Sequence, residues 1–79
     1  MRIETLKEIS NIMELNKYMD KEEFSLKSME YDEGFEKCNL KYICNNEIID
    51  ITIMVYNSNY EYGVPYEFKI LTIKITLND

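Results

Sequence analysis

The chain contains no histidine, tryptophan, alanine or glutamine. Without histidine the commonest general base is missing. Ser-His-Asp and Cys-His arrangements are excluded within one chain. Glycine is scarce, and neither Gly34 nor Gly63 lies in a phosphate-cradling motif. There is a single proline, Pro65. The two cysteines, Cys38 and Cys44, do not form a C-x-x-C motif, and zinc would need Cys and His in another pattern. On one strand their Cα atoms would lie ~20 Å apart at ~3.3 Å per residue. A disulfide needs them within about 7 Å. Two unpaired thiols fit a reducing compartment, so a cytoplasmic location is expected.

Long hydrophobic runs are also lacking. Ile48 to Tyr56 is the longest strongly apolar stretch, and Asp50 and Thr52 interrupt it. Nothing approaches the ~18 apolar residues needed to span a bilayer. Charges recur through Met1 to Glu23 and leave no apolar core for a signal peptide. The expectation is a protein with no membrane association.

What is present describes one folded domain. Seventy-nine residues, 46% hydrophobic and 30% charged, suit a single compact unit over 1–79. The net charge of −6 is spread along the chain. Such a chain repels a phosphate backbone, so direct nucleic-acid binding is not expected, whereas a basic protein surface attracts it. Ile, Asn, Lys, Glu and Tyr are abundant, and their codons are AT-rich. The genome behind them reads as that of an AT-rich bacterium, or of a virus or mobile element living in one.

Hydrophobic periodicity predicts one helix over Ile3 to Met19. Ile9 and Met13 lie one turn apart, flanked by Leu6, Ile12 and Met19, with Glu4, Lys7, Glu8, Asn11 and Glu14 opposite. Phe24 to Tyr31 reads as a short strand with a bulge or an early strand end near Ser28, where the alternation changes parity. Cys38, Leu40, Tyr42 and Cys44 alternate on the next strand, and Ile49, Ile51, Ile53 and Val55 on the one after it. Asn45-Asn46 between them suits a two-residue type I′ turn, because Asn tolerates positive φ. That turn sets Cys44 opposite Glu47, Tyr42 opposite Ile49, Leu40 opposite Ile51 and Cys38 opposite Ile53. It also sets Lys41 opposite Asp50 and Asn39 opposite Thr52. A one-residue slip would lose every match. Asn57 to Pro65 reads as a loop. Tyr66 to Leu77 reads as the last strand, with a bulge at Ile70-Leu71. The expected fold is α+β: an N-terminal helix on one face of a four-stranded antiparallel meander.

Carboxylates and tyrosines are the remaining candidates for function. Glu30, Asp32, Glu33 and Glu36 cluster around Gly34 beside Tyr31. Their spacing does not match an EF-hand loop. Two-carboxylate glycosidase chemistry needs a deep cleft that a chain of this size does not build. No enzyme, cofactor or metal site is expected. Tyr56, Tyr60, Tyr62 and Tyr66 gather in the second loop region, interleaved with Glu61 and Glu67. Tyrosine supplies contact area with a polar tip at low entropic cost. Glu30, Tyr31, Asp32, Glu33, Glu36, Tyr60, Glu61 and Tyr62 are therefore the expected partner-binding residues. One helix cannot cover both faces of the sheet, so Ile43, Ile48, Met54 and Tyr56 form a candidate homodimer face.

In size, charge and element order the chain resembles small proteins that phages and mobile elements direct against host defence. These include anti-CRISPR proteins and nuclease inhibitors. The resemblance implies an inhibitor that docks on a basic, nucleic-acid-binding protein through its acidic and tyrosine-rich loops, in the host cytoplasm if the gene is viral. Bacterial immunity proteins and small accessory regulators share this physics. A structural protein that assembles through the outer sheet face is the alternative of a different class.

Overall fold

Two asparagines set the frame of the sheet. In the computed structural model, which describes residues 3–34, 36–59 and 64–77, β2 (Lys37–Cys44) and β3 (Glu47–Asn59) flank Asn45-Asn46. Their register is the expected one, from Cys44 opposite Glu47 to Cys38 opposite Ile53. Lys41 lies opposite Asp50, with Nζ 3.9 Å from Oδ1. β1 (Ser25–Tyr31) pairs with β2, and β4 (Val64–Leu77) pairs with β3, so the sheet order is β1-β2-β3-β4, all antiparallel. The fold is the α+β meander that the patterning predicts. Both bulges fall where parity changes: β1 shifts register between Leu26 and Ser28, and Leu71 is the extra residue opposite Thr52 and Ile53.

The helical region departs from expectation. Instead of one helix over Ile3 to Met19 there are two, α1 (Ile3–Lys7) and α2 (Ile12–Lys21). The Ser10 carbonyl accepts the Phe68 N–H at 2.9 Å, and Asn11 forms an isolated antiparallel bridge with Glu67. A helix through Ser10 would turn that carbonyl along its own axis and away from β4. Asn11 has extended φ and ψ, and its Oδ1 accepts the Glu14 N–H at 2.8 Å, which caps α2. The break changes which residues face the sheet. Leu15 is fully buried, whereas Met13, expected in the core, is 74% exposed.

The core is the layer between the helices and one sheet face. Leu6, Leu15 and Met19 press on Leu40, Ile49, Ile51 and Ile53, all of them fully buried. Each such side chain contributes about 1.5–3 kcal/mol through burial. Tyr42 is also buried, and its hydroxyl donates to Asn16 Oδ1 at 2.7 Å, which satisfies the phenol. Cys38 is buried and Cys44 half-buried, and both are free thiols.

The loop expected over Asn57 to Pro65 is shorter. β3 continues to Asn59, and β4 begins at Val64, two residues before the expected Tyr66. Ser58 pairs with Pro65 beyond two further register shifts. Proline is tolerated there because β4 is an edge strand and the ladder is already irregular.

Two non-glycine positions among the described residues have positive φ, Glu23 at 66° and Asn45 at 53°. Asn45 supplies the first positive φ of a type I′ turn. Asn46 does not supply the second, which corrects the expected turn type. Glu23 closes α2. Its N–H donates to the Asp20 carbonyl at 3.0 Å and the Phe24 N–H to the Met19 carbonyl at 2.8 Å. This is the Schellman arrangement, with Phe24 and Met19 both buried as its apolar contact. Glycine carries no steric penalty at positive φ. Glu23→Gly and Asn45→Gly should each stabilise by about 0.4–1 kcal/mol, and Asn45→Val should cost about 1–2 kcal/mol. Urea melts decide, and a neutral Asn45→Val would show that the turn does not hold positive φ.

Candidate functional site

Asp32, Glu33 and Glu36 occupy the turn between β1 and β2, Glu30 lies at the end of β1 opposite Asn39, and Asp32 organises the turn. Its Oδ1 accepts the N–H of Glu36 at 3.0 Å and of Lys37 at 3.2 Å. Its own N–H donates to the Lys37 carbonyl at 3.0 Å. Short carboxylates favour this local bonding, which spares the turn a regular ladder. The Glu36 carbonyl accepts the Val55 N–H at 2.8 Å and ties the turn to β3. With Asp32 holding the backbone, the side chains of Glu30, Glu33 and Glu36 stand exposed around it. Among the described residues no group of three or more His, Cys, Asp and Glu is placed to hold a metal ion.

Tyr31 is half-buried at the end of β1 and packs on the core. Burial raises its phenol pKa, and nearby Cys38 raises it further. Burial pushes the Cys38 thiol up to about 11; a backbone hydrogen bond at Glu30 opposes the shift, and the Asp32 carboxylate adds to it. Such a thiol stays protonated and is a poor nucleophile near neutral pH. Glu30, Tyr31 and Asp32 share a shallow hollow with Lys37, Asn39 and Thr52.

The meander brings a second group to the same end of the sheet. Strands β3 and β4 end at Asn59 and Val64 on the side where β1 turns into β2. Tyr60, Glu61 and Tyr62 lie outside the described residues. Their described neighbours Tyr56 and Tyr66 are 64% and 42% exposed. Tyr56 lines a second hollow with Ser10, Asn11, Glu67 and Phe68, away from Ile43 and Ile48 at the hairpin end. Sequence reasoning missed Ser10 and Asn11 here. The only local signal was a pair of helix-capping residue types inside an apolar-periodic stretch.

The outer sheet face is less apolar than expected. Ile43 and Ile48 pair with each other and are half-buried, between Ser25 and Thr76. The Lys41–Asp50–Lys74 row and the Asn39–Thr52–Thr72 row separate them from Met54, which stands between Lys37 and Lys69. Exposed apolar side chains collect instead along β4, at Leu71 and, in register with the helix-side face, at Ile75 and Leu77.

No helix among the described residues is long and apolar enough to cross a membrane. No protein-family model, curated protein or solved structure matches this chain.

Proposed function

We propose that this protein is a small acidic inhibitor that binds another protein, docking on a basic surface through the sheet end that carries its acidic turn. The observation behind this reading is the Asp32-locked turn, which presents Glu33 and Glu36 to solvent beside the exposed Glu30 at the end of β1. A preordered acidic surface loses little entropy on binding and steers a basic partner toward itself. Tyr56 and Tyr66 at the same end supply contact area. The natural ligand of such a partner surface is nucleic acid, which the inhibitor displaces. This suits an anti-defence protein of a phage or mobile element acting in the host cytoplasm, of the anti-CRISPR or nuclease-inhibitor kind. An immunity protein against a nuclease toxin would use the same surface. Assembly through Ile43, Ile48 and Met54 has less support, because charged and hydroxyl rows divide that face.

The test is kinetic, against partners recovered on the immobilised protein. Association should slow by about 10–100-fold from low to high salt, and by a similar factor in Glu30→Lys/Glu33→Lys/Glu36→Lys. Asp32 is left intact in that variant because its carboxylate holds the turn. Exposed charges contribute little to folding, so thermal stability should stay near wild type. A partner bound equally fast at all salt concentrations, by wild type and variant alike, would remove the acidic turn from the interface.

A further inference from the structure

One edge of the sheet carries a segment that reads the same in both directions. Leu71-Thr72-Ile73-Lys74-Ile75-Thr76-Leu77 is a palindrome centred on Lys74. These residues belong to β4, the last strand of the sheet, and β3 occupies one side of it. On the other side, the beginning of β4 is covered, since Ser10 and Asn11 meet Phe68 and Glu67. No described segment pairs with residues 71–77 there. A long unpaired edge is a template for another strand, and proteins usually blunt such edges with charges or proline. Here Lys74 is the one charge in seven residues.

The side chains on this edge are also incompletely covered. Ile73 and Ile75 stand opposite Ile51 and Ile49, which are buried under the helices. Leu71 and Leu77 follow the same alternation. Yet Leu71, Ile75 and Leu77 are 38%, 42% and 71% exposed. The helices stop short of this strip and leave its apolar groups in water.

We propose that β4 pairs antiparallel with β4 of a second copy, about a two-fold axis at Lys74, to make one continuous eight-stranded sheet. In that register Leu71 meets the partner's Leu77, Ile73 the partner's Ile75 and Thr72 the partner's Thr76. Each pair occurs twice, as isologous symmetry requires. Every apolar group of the strip gains an apolar neighbour about 4.5–5.5 Å away between Cβ atoms. A foreign strand would have to match this pattern by chance, whereas a second copy carries it already.

Charge favours the same occupant. The chain carries −6, but residues 68–77 contain Lys69 and Lys74 and no acid. Two acidic copies therefore approach most easily along this edge. The one unfavourable pair is Lys74 with the partner's Lys74. Asp50 stands beside each Lys74 within its own sheet and offsets that repulsion. Added salt screens both the lysine pair and the overall repulsion, so it should strengthen the dimer. That sign is opposite to the one expected for docking through the acidic turn, and the two readings stand or fall separately.

Sedimentation of the full chain supplies the first test. The mass should rise from 9.5 kDa toward twice that value with concentration, and at lower concentration in high salt. Ile75→Lys and Leu77→Lys should each weaken dimerisation by about tenfold or more. Diamide oxidation in a Cys44→Ser background tests the register. Lys74→Cys should cross-link to itself, Thr72→Cys alone should not, and Thr72→Cys mixed with Thr76→Cys should give the mixed dimer. If Ile75→Lys fails to fold, the cross-linking pattern still decides. A monomer at every concentration and salt would overturn the proposal. So would a dimer indifferent to Ile75→Lys and Leu77→Lys, or equal self-cross-linking by Lys74→Cys and Thr72→Cys.

Discussion

Ile51→Ala should cost about 2–5 kcal/mol of stability. Ile51 is fully buried at the middle of β3, between Leu40 on β2 and Ile73 on β4. Its side chain faces the helix layer, so truncation removes apolar contact and leaves a cavity that neighbouring strands cannot close. A chain of this size has a total stability of only about 4–12 kcal/mol. The melting temperature should fall by roughly 10–30 °C, since each kcal/mol shifts Tm by about 4–8 °C in a domain of this length. Met13→Ala is the control. Met13 is 74% exposed, so its truncation should change stability by less than about 0.5 kcal/mol. An uninterrupted helix over Ile3 to Met19 would put Met13 in the core. Equal losses from the two substitutions would contradict the break at Ser10-Asn11.

Alkaline pH should destabilise the protein in two stages, through Cys38 and then through Tyr42. The Cys38 thiol moves from an ordinary 9.0 to about 11. Burial also pushes the Tyr42 phenol well above its ordinary 10.0, with Cys38 adding to the shift. Both groups are neutral when protonated, and their folded pKa values are raised. Above pH 9 the unfolded chain loses the Cys38 proton while the folded chain keeps it. The unfolded state then binds fewer protons, so stability falls as pH rises. The loss begins near pH 9 through Cys38 and steepens above pH 10 as Tyr42 and Tyr31 join. Each group contributes up to about 1.4 kcal/mol per pH unit within its window. Below pH 9 neither contributes a slope. Urea melts from pH 8 to 11 should show this two-stage decline. Cys38→Val should flatten the first stage, and Tyr42→Phe should reduce the second, which Tyr31 shares, while losing about 1 kcal/mol with the Asn16 hydrogen bond. Stability unchanged between pH 9 and pH 11 would show that neither group is held away from water.

The acidic turn illustrates how far residue types carry a functional reading. Clustered carboxylates beside Gly34 identify a charged loop from composition alone. The role of Asp32 was not readable there, because Glu30, Asp32, Glu33 and Glu36 look equivalent in sequence. Only the fold separates the carboxylate bonded to two backbone N–H groups from those facing solvent. Tyr56 is a similar case. Its parity with Met54 pointed to the outer face, but a register shift between Val55 and Asn57 places it in a hollow beside Asn11.

The sheet was legible in sequence because its information is local and periodic. A two-residue turn at Asn45-Asn46, with matched alternation on both sides, admits one register for β2 and β3. Parity changes at Ser28 and at Ile70-Leu71 mark bulges by the same rule. The helix break and the end of the β3–β4 ladder were decided elsewhere. Ile3 to Met19 has helical periodicity throughout, and nothing near Ser10 demands an interruption. The interruption comes from β4, where the Phe68 N–H on an open edge takes the Ser10 carbonyl from 58 positions earlier in the chain. A buried edge group needs a partner, and that requirement outweighs the continuation of one helical turn. Local sequence thus determined how each strand pairs, while the unmet hydrogen bonds of the assembled sheet determined where the helix had to stop.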